Sequence, residues 1–249
     1  MSGHSKWSTI KRKKGAADAK RGQAFTRLAR EITVAARAGL PDPELNPRLR
    51  LAVNRARAES MPKDNIDRAI ERGSAETGGE NYEEVYYEGY GPGGVAVMIL
   101  AMTDNRNRTV GEVRAALTRS GGTLGENGSV GWMFDQVGLI RVAASADAAD
   151  ELALLAIDAG AVDVQVEEDM VEVWTDPQSL HKVQEALSAG GFEAESAELT
   201  MRPTTMMAPD PDVAVKALKL LDKLDDLDDV QQVYSNLDVP DEALFEARP

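Results

Sequence analysis

Residues 138–199 read GLIRVAASADAADELALLAIDAGAVDVQVEEDMVEVWTDPQSLHKVQEALSAGGFEAESAEL, and the fold turns on how this run divides. Gly138–Val142 has the apolar, β-rich character of a short strand, and a helical pattern follows it to about Ala159. Val162–Glu167 and Met170–Thr175 switch to strand periodicity, Asp176-Pro177 opens a second helix to about Ala189, and Phe192–Leu199 closes as a strand. A period near 3.6 marks helix and a period of two marks strand, so the two can be separated by inspection. The resulting order, βαββαβ, is that of the split ferredoxin-like unit.

The flanking sequence extends the pattern. Tyr82–Glu88 and Val95–Thr103 read as strands around a turn at Gly89–Gly94. Thr109 with Glu112 forms a capping box for a helix to about Arg119, and Ser129–Asp135 reads as a further strand. This region lacks one helix and one strand of the same pattern. The tail supplies both: a helix opening at Asp210-Pro211, with Val215, Leu218 and Leu221, and a strand at Val230–Asn236. Counting elements therefore predicts a discontinuous middle α+β domain, residues 79–135 with 206–249, into which the ferredoxin-like α+β domain of 136–205 is inserted.

Upstream the pattern is helical. From Gly22 to Ala38, Phe25, Leu28, Ile32 and Ala35 share one face while Lys20, Arg27, Arg30 and Arg37 lie nearly opposite. Asn46-Pro47 supplies an N-cap and a first-turn proline for a second helix, flanked by Arg48, Arg50, Arg55 and Arg57. A third runs from near Pro62 through Ile66, Ala69 and Ile70 to Gly73. The predicted architecture is thus α+β: a basic arm (1–21), a small helical domain (22–78), and two α+β domains.

Charge is distributed as unevenly as structure. The formal net charge is −14, which taken alone argues against a polyanion as partner. Residues 1–74, however, hold 17 Lys and Arg against 8 Asp and Glu, and the rest holds 11 against 34. Such asymmetry points to a polyanion-binding end on an otherwise acidic, self-solubilising body. The first 17 residues contain no acid and carry Lys6, Lys11, Arg12, Lys13 and Lys14, with Trp7 as the only aromatic. The consecutive basic run and the lack of an apolar stripe separate this arm from a mitochondrial presequence. Lys and Arg gain affinity for phosphate by releasing condensed counterions. Trp7 is placed either to stack on an unpaired base or to anchor the arm to the protein's own body.

A second basic spot is Asp104-Asn105-Arg106-Asn107-Arg108-Thr109, with Arg114 and Arg119 beyond it. Helix starts attract anions through free N–H groups and the helix dipole, so Arg106 and Arg108 either meet a phosphate there or pair with nearby carboxylates. Catalysis has little to work with. The chain has no Cys and two His, His4 in the arm and His181 on a helix with an apolar face. Gly89, Gly91 and Gly94 spell G-x-G-x-x-G, but they precede an apolar β-rich run and include Pro92, so they read as a hairpin loop, not a cofactor site. The acidic run Asp222, Asp225, Asp226, Asp228 and Asp229 lacks the glycine and terminal glutamate of a calcium loop and reads as a solvated helix end. No metal, cofactor or small-molecule substrate is called for. No apolar run approaches the roughly 18 residues of a membrane span. The expectation is a soluble, cytoplasmic protein with no membrane partner, its self-association left open.

Several segments carry a resemblance: Gly3-His4-Ser5-Lys6-Trp7, Asp18-Ala19-Lys20-Arg21-Gly22, Asn46-Pro47-Arg48-Leu49, Tyr87-Glu88-Gly89-Tyr90-Gly91-Pro92-Gly93-Gly94, Asp104 to Thr109, and Gly128-Ser129-Val130. Over about its whole length the chain resembles the YebC/PmpR family, which includes the mitochondrial translational activators of cytochrome oxidase. With the opening motif at Met1, no targeting segment is expected before it. The resemblance implies three domains, a cytoplasmic location and regulation of gene expression without known catalysis. Bacterial members are usually labelled as transcriptional regulators that bind DNA. Others are tied to translation and the ribosome, including synthesis through proline-rich stretches. The positions matching the family are Lys6, Lys20, Arg21, Arg48, Arg106 and Arg108; Arg12, Lys13 and Lys14 match as a generally basic stretch. Two partners therefore stand as expectations. One is DNA, although no helix-turn-helix recognition helix is evident; the other is ribosomal RNA, recognised by shape and phosphate.

Overall fold

The computed structural model describes residues 18–75, 82–166 and 169–240. They fall into two compact units, one of residues 18–52, 62–75, 82–134 and 203–240, the other of 53–61, 135–166 and 169–202.

In the first unit the chain begins with three helices, α1 (Asp18–Ala38), α2 (Pro47–Ala58, whose second half is assigned to the other unit) and α3 (Lys63–Ser74). The apolar faces expected from the sequence are buried: Leu28, Ile32 and Ala35 on α1, Leu49 and Ala52 on α2, Ile66 and Ala69 on α3. Asn46 fixes the chain entering α2. Its Oδ1 accepts from the Leu49 N–H at 3.1 Å, and its amide donates to the carbonyls of Ala35 and Leu40 at 2.9 Å. Helices α1 and α3 meet at Gly73, where a Cβ would lie 2.7 Å from that of Ala36 and closer still to the Thr33 carbonyl oxygen.

The sheet of this unit runs β3-β1-β2-β8: β1 (Glu83–Tyr90), β2 (Ala96–Thr103), β3 (Thr123–Leu124) and β8 (Val230–Ser235). β1 and β2 pair antiparallel from Glu83↔Thr103 to Tyr90↔Ala96 across a short 3₁₀ turn at Pro92–Gly94, so the glycine motif is a hairpin connection. Strand β8, from the far end of the chain, pairs antiparallel with β2. Helices α4 (Arg106–Arg119) and α7 (Pro211–Asp225) cover one sheet face. Val95, Val97 and Ile99 interlock there with Val113 and Leu117 from α4, Leu220 and Leu221 from α7, and Val233.

The second unit has strand order β5-β6-β4-β7, with β4 (Phe134–Ala143), β5 (Asp163–Val166), β6 (Met170–Thr175) and β7 (Ala194–Pro203), and helices α5 (Ala146–Ala159) and α6 (Leu180–Ala189). Numbered within the unit this is 2-3-1-4, the ferredoxin-like order.

Three local expectations are corrected. Helix α4 starts at Arg106, not after Thr109. Asn105 is its N-cap, its Oδ1 accepting from the Arg108 N–H at 3.1 Å, and Thr109 stands inside the first turn with its hydroxyl buried. The predicted strand Ser129–Asp135 is mostly a turn followed by a 3₁₀ step at Gly131–Met133, and Phe134 already belongs to β4. Helix α6 begins at Leu180, because Pro177 and its neighbours form a turn.

Candidate nucleic-acid interface

Lys6, Trp7, Lys11, Arg12, Lys13 and Lys14 lie outside the described residues, and so do the side chains of Lys20 and Arg21, whose backbone forms the first turn of α1. The five other candidates are all in the first unit.

Arg27 and Arg30 project from α1 onto the end of α7 and the loop before β8. Arg27 donates to the Asp225 carbonyl oxygen, and its Nη1 lies 3.5 Å from the Asp225 carboxylate. Arg30 donates to the Asp228 carbonyl oxygen, faces Asp229 Oδ1 at 3.3 Å and lies 5.3 Å from the Tyr82 ring centre. Both side chains are about five-sixths buried (16% and 15% exposed). The acidic run expected to be a solvated helix end is therefore an anchor: Asp225 and Asp229 are buried and hold α1 in place. This corrects the expected stripe, since Arg27 and Arg30 are turned inward to their own counter-charges.

Asp229 is the centre of the arrangement, with its side chain 1% exposed. Its Oδ2 accepts from Thr103 Oγ1 (3.0 Å), Thr109 Oγ1 (2.7 Å), Arg108 Nε (3.2 Å) and Arg108 Nη2 (2.7 Å). Burial alone would push this carboxyl up, but the hydrogen bonds from Arg108, Thr109 and Thr103 and the charge of Arg108 outweigh it and hold it below the usual carboxylate range. Arg108 is held charged by the same contact and by Asp104 at 2.7 Å. The anion met by the first turn of α4 is thus the protein's own Asp229, bound by the side chains of Arg108 and Thr109.

Arg48 and Arg106 differ. Arg48 pairs with Glu84, and Arg106 Nε sits 2.6 Å from Glu83 Oε2, yet these side chains are 46% and 63% exposed. Exposed pairs of this kind are worth about 0–1 kcal/mol, little enough for a phosphate to displace the carboxylate. Arg114 and Arg119, farther along α4, are also exposed, and no ion pair joins them to a described residue.

The same sheet carries a second buried carboxylate that the sequence did not disclose as structural. Glu88 accepts from the backbone N–H groups of Gly128 and Val130 at 2.7 Å and Gly131 at 2.6 Å. Burial raises its carboxyl, and these three donors more than reverse the effect. The Gly128-Ser129-Val130 motif is therefore a loop wrapped around one side chain, with Gly128 at φ 85° where its N–H can turn inward. Among the described residues no group of three or more His, Cys, Asp or Glu could hold a metal ion, and no helix is long and apolar enough to cross a membrane.

Fold and charge together define a class: a helical N-terminal segment joined to two antiparallel-sheet bodies, with buried carboxylates serving as structural locks. Residues 5–76 match the family model for the TACO1/YebC protein N-terminal domain, and residues 82–237 match that for the TACO1/YebC second and third domain. The chain belongs to the TACO1/YebC family. It is 57% identical over 244 residues, 98% of both chains, to the "Probable transcriptional regulatory protein GSU1074" of Geobacter sulfurreducens. A protein named "Probable transcriptional regulatory protein" from Treponema denticola is 53% identical over 241 residues, 97% of this chain and 98% of that one. A crystal structure of a conserved hypothetical protein, Aq1575 from Aquifex aeolicus, superposes with a TM-score of 0.85 at 49% identity, covering 91% of this chain and 94% of that one.

Proposed function

We propose that this chain is a cytoplasmic, non-enzymatic regulator of gene expression that binds nucleic acid, with DNA as the first target, through its basic arm. Phosphate contacts come from Lys6, Lys11, Arg12, Lys13, Lys14, Lys20 and Arg21, joined by Arg48 and Arg106 once their exposed carboxylate partners are displaced. Arg27, Arg30 and Arg108 are positioning residues. The observation that carries the reading is the segregation of charge, 17 bases against 8 acids in residues 1–74 and 11 against 34 elsewhere. The naming of close relatives as transcriptional regulatory proteins supports it.

The test is fluorescence anisotropy with a labelled 30-base-pair duplex across a salt series. Charge reversal of Lys11, Arg12, Lys13 and Lys14 to Glu should weaken binding to every duplex alike. It should also flatten the salt dependence, the slope falling by roughly 0.9 for each phosphate that is no longer neutralised. Binding that survives this change unaltered sinks the arm's role. Sedimentation of the protein with ribosomes, released by high salt, in place of duplex binding would move the partner to ribosomal RNA.

A further inference from the structure

Beyond residue 74 the chain holds 34 acids and only 11 bases, and seven of those bases sit on two helices of the first unit: Arg106, Arg108, Arg114 and Arg119 on α4, and Lys216, Lys219 and Lys223 on α7. All seven are exposed. Arg106 holds Glu83, and Arg108 holds Asp104 and Asp229. No ion pair joins Arg114, Arg119 or the three lysines to a described residue.

At about 100° per residue, Lys216, Lys219 and Lys223 fall within about 60° of one another on α7, opposite the buried Ala217, Leu221 and Leu224. On α4, Arg108 and Arg119 fall within about 20° of each other. The two helices lie on one sheet face, share one core and pack against each other. Two contacts fix which flanks meet. Leu220, within a turn of both Lys216 and Lys223, lies against Gly91, where a Cβ would stand 3.0 Å from its Cδ2, and Gly91 backs onto Gly122 just past the end of α4. From the other helix, Arg108 reaches Asp229 just beyond α7. The opposite flank of α7 belongs to α1, since Asp225 takes Arg27 there. Asp222 lies toward that flank, and Asp226 follows the helix end, where its carbonyl accepts from Gln23 of α1. The basic flanks of α4 and α7 therefore border one furrow. Its carboxylates are Glu112 and Asp212, one from each helix, against Arg108, Arg119, Lys216, Lys219 and Lys223.

The structure assigns this furrow to a sugar–phosphate backbone. It is a second contact surface for nucleic acid, with Arg119, Lys216, Lys219 and Lys223 as its phosphate ligands and Arg114 on the outer flank of α4. The inference rests on the reading of the chain as a nucleic-acid binder. Two features select a phosphate lattice over an acidic protein. Arg108 to Arg119 spans about 16 Å at about 1.5 Å per residue, the reach of roughly four or five phosphates of one strand at about 3.4 Å each. Between them Gly111 leaves room for a backbone to approach, since a Cβ there would meet nothing within 4 Å. The furrow also lacks an apolar anchor. Among the described residues, no large apolar side chain that is exposed belongs to α4 or α7, whereas protein interfaces centre on aromatic and aliphatic anchors.

The test titrates the full chain, by anisotropy over a salt series, against a labelled DNA duplex and the RNA duplex of the same sequence. Lys219→Gln is compared with Lys182→Gln on α6, which removes the same charge from the second unit. On DNA, Lys219→Gln should lower the salt slope by about 0.9, and Lys216→Gln, Lys219→Gln and Lys223→Gln together by roughly 2–3. The triple variant should weaken binding at least about tenfold, while Lys182→Gln leaves slope and affinity unchanged. The three lysines are exposed, so the melting curve should not move; if the triple variant shifts it, the single pair carries the comparison. Whichever duplex shows the Lys219 effect identifies the source of the backbone, and either upholds the proposal. Equal effects of Lys219→Gln and Lys182→Gln would show a diffuse field without a site and overturn it. Polyglutamate that binds as tightly as the duplexes and is lost with Lys219→Gln would overturn it in favour of an acidic protein. If reversal of Lys11, Arg12, Lys13 and Lys14 flattens the slope and the lysine triple does not, the arm's role stands and the furrow's falls. If neither duplex binds the wild type, both fall.

Discussion

Replacing Asp229 by Asn keeps the shape of the most heavily used carboxylate in the first unit and removes its charge. Four hydrogen bonds converge on Oδ2, two from threonine hydroxyls and two from Arg108, and Arg30 faces Oδ1. Removing one partner of a buried ion pair costs about 3–5 kcal/mol. Two features put Asp229→Asn at the lower end. The amide oxygen can still accept from Thr103 and Thr109, and Arg108, 43% exposed, can turn to water. Arg30 cannot, because its side chain is enclosed. The expected loss is therefore about 3 kcal/mol, or roughly 6–12 °C in Tm for a protein of this size, measured by urea and thermal unfolding at pH 7. The pH dependence has a definite sign. A carboxyl held below its unfolded value contributes stability that is fully present above the ordinary carboxylate pKa and disappears as pH falls through the folded value. The gap between wild type and Asp229→Asn should thus be widest near neutrality and close as pH drops below about 4. A gap that stays constant from pH 7 to pH 3, or a variant as stable as wild type, would refute the assignment of Asp229 as a charged lock.

Three other outcomes rest on the same network and its neighbours. Glu88→Gln replaces one acceptor oxygen with a donor that faces backbone N–H groups; about 2 kcal/mol of stability should disappear, with faster hydrogen exchange at Gly128, Val130 and Gly131, and unchanged exchange there would remove the clamp. Gly73→Ala forces a methyl into the Thr33 carbonyl and Ala36 and should destabilise by about 1–3 kcal/mol, seen as a lower urea midpoint. Arg27→Ala and Arg30→Ala should lower stability while leaving the salt slope of DNA binding intact, whereas Arg48→Ala and Arg106→Ala should flatten the slope with little change in melting; the reverse pattern would place the phosphate surface on α1.

How much of this was legible in the sequence depended on the range of the interaction. Periodicity and capping act within a few residues, so the βαββαβ division of 138–199, the Asn46-Pro47 helix start and the hairpin at Gly89–Gly94 could all be read directly. Strand β8, from the far end of the chain, pairs with β2, a partner that no local signal in its own residues selects. Local signals erred where two rules competed. Thr109 and Glu112 have the form of a capping box, but Asn105 is the better cap, and Thr109 is required by Asp229.

The chain alone determined which segments are helix and strand and where the charges lie, because both are properties of neighbouring residues. Only the tertiary structure decided what each charge does. Arg27 and Asp225 are 198 positions apart, and Glu88 meets Gly128 across 40. Nothing in either local sequence distinguishes an arginine waiting for phosphate from one already facing a buried carboxylate. The sign of a side chain is written in the chain, while its partner and its distance from water arise from folding, and those two quantities decide whether a charge is a lock or a contact.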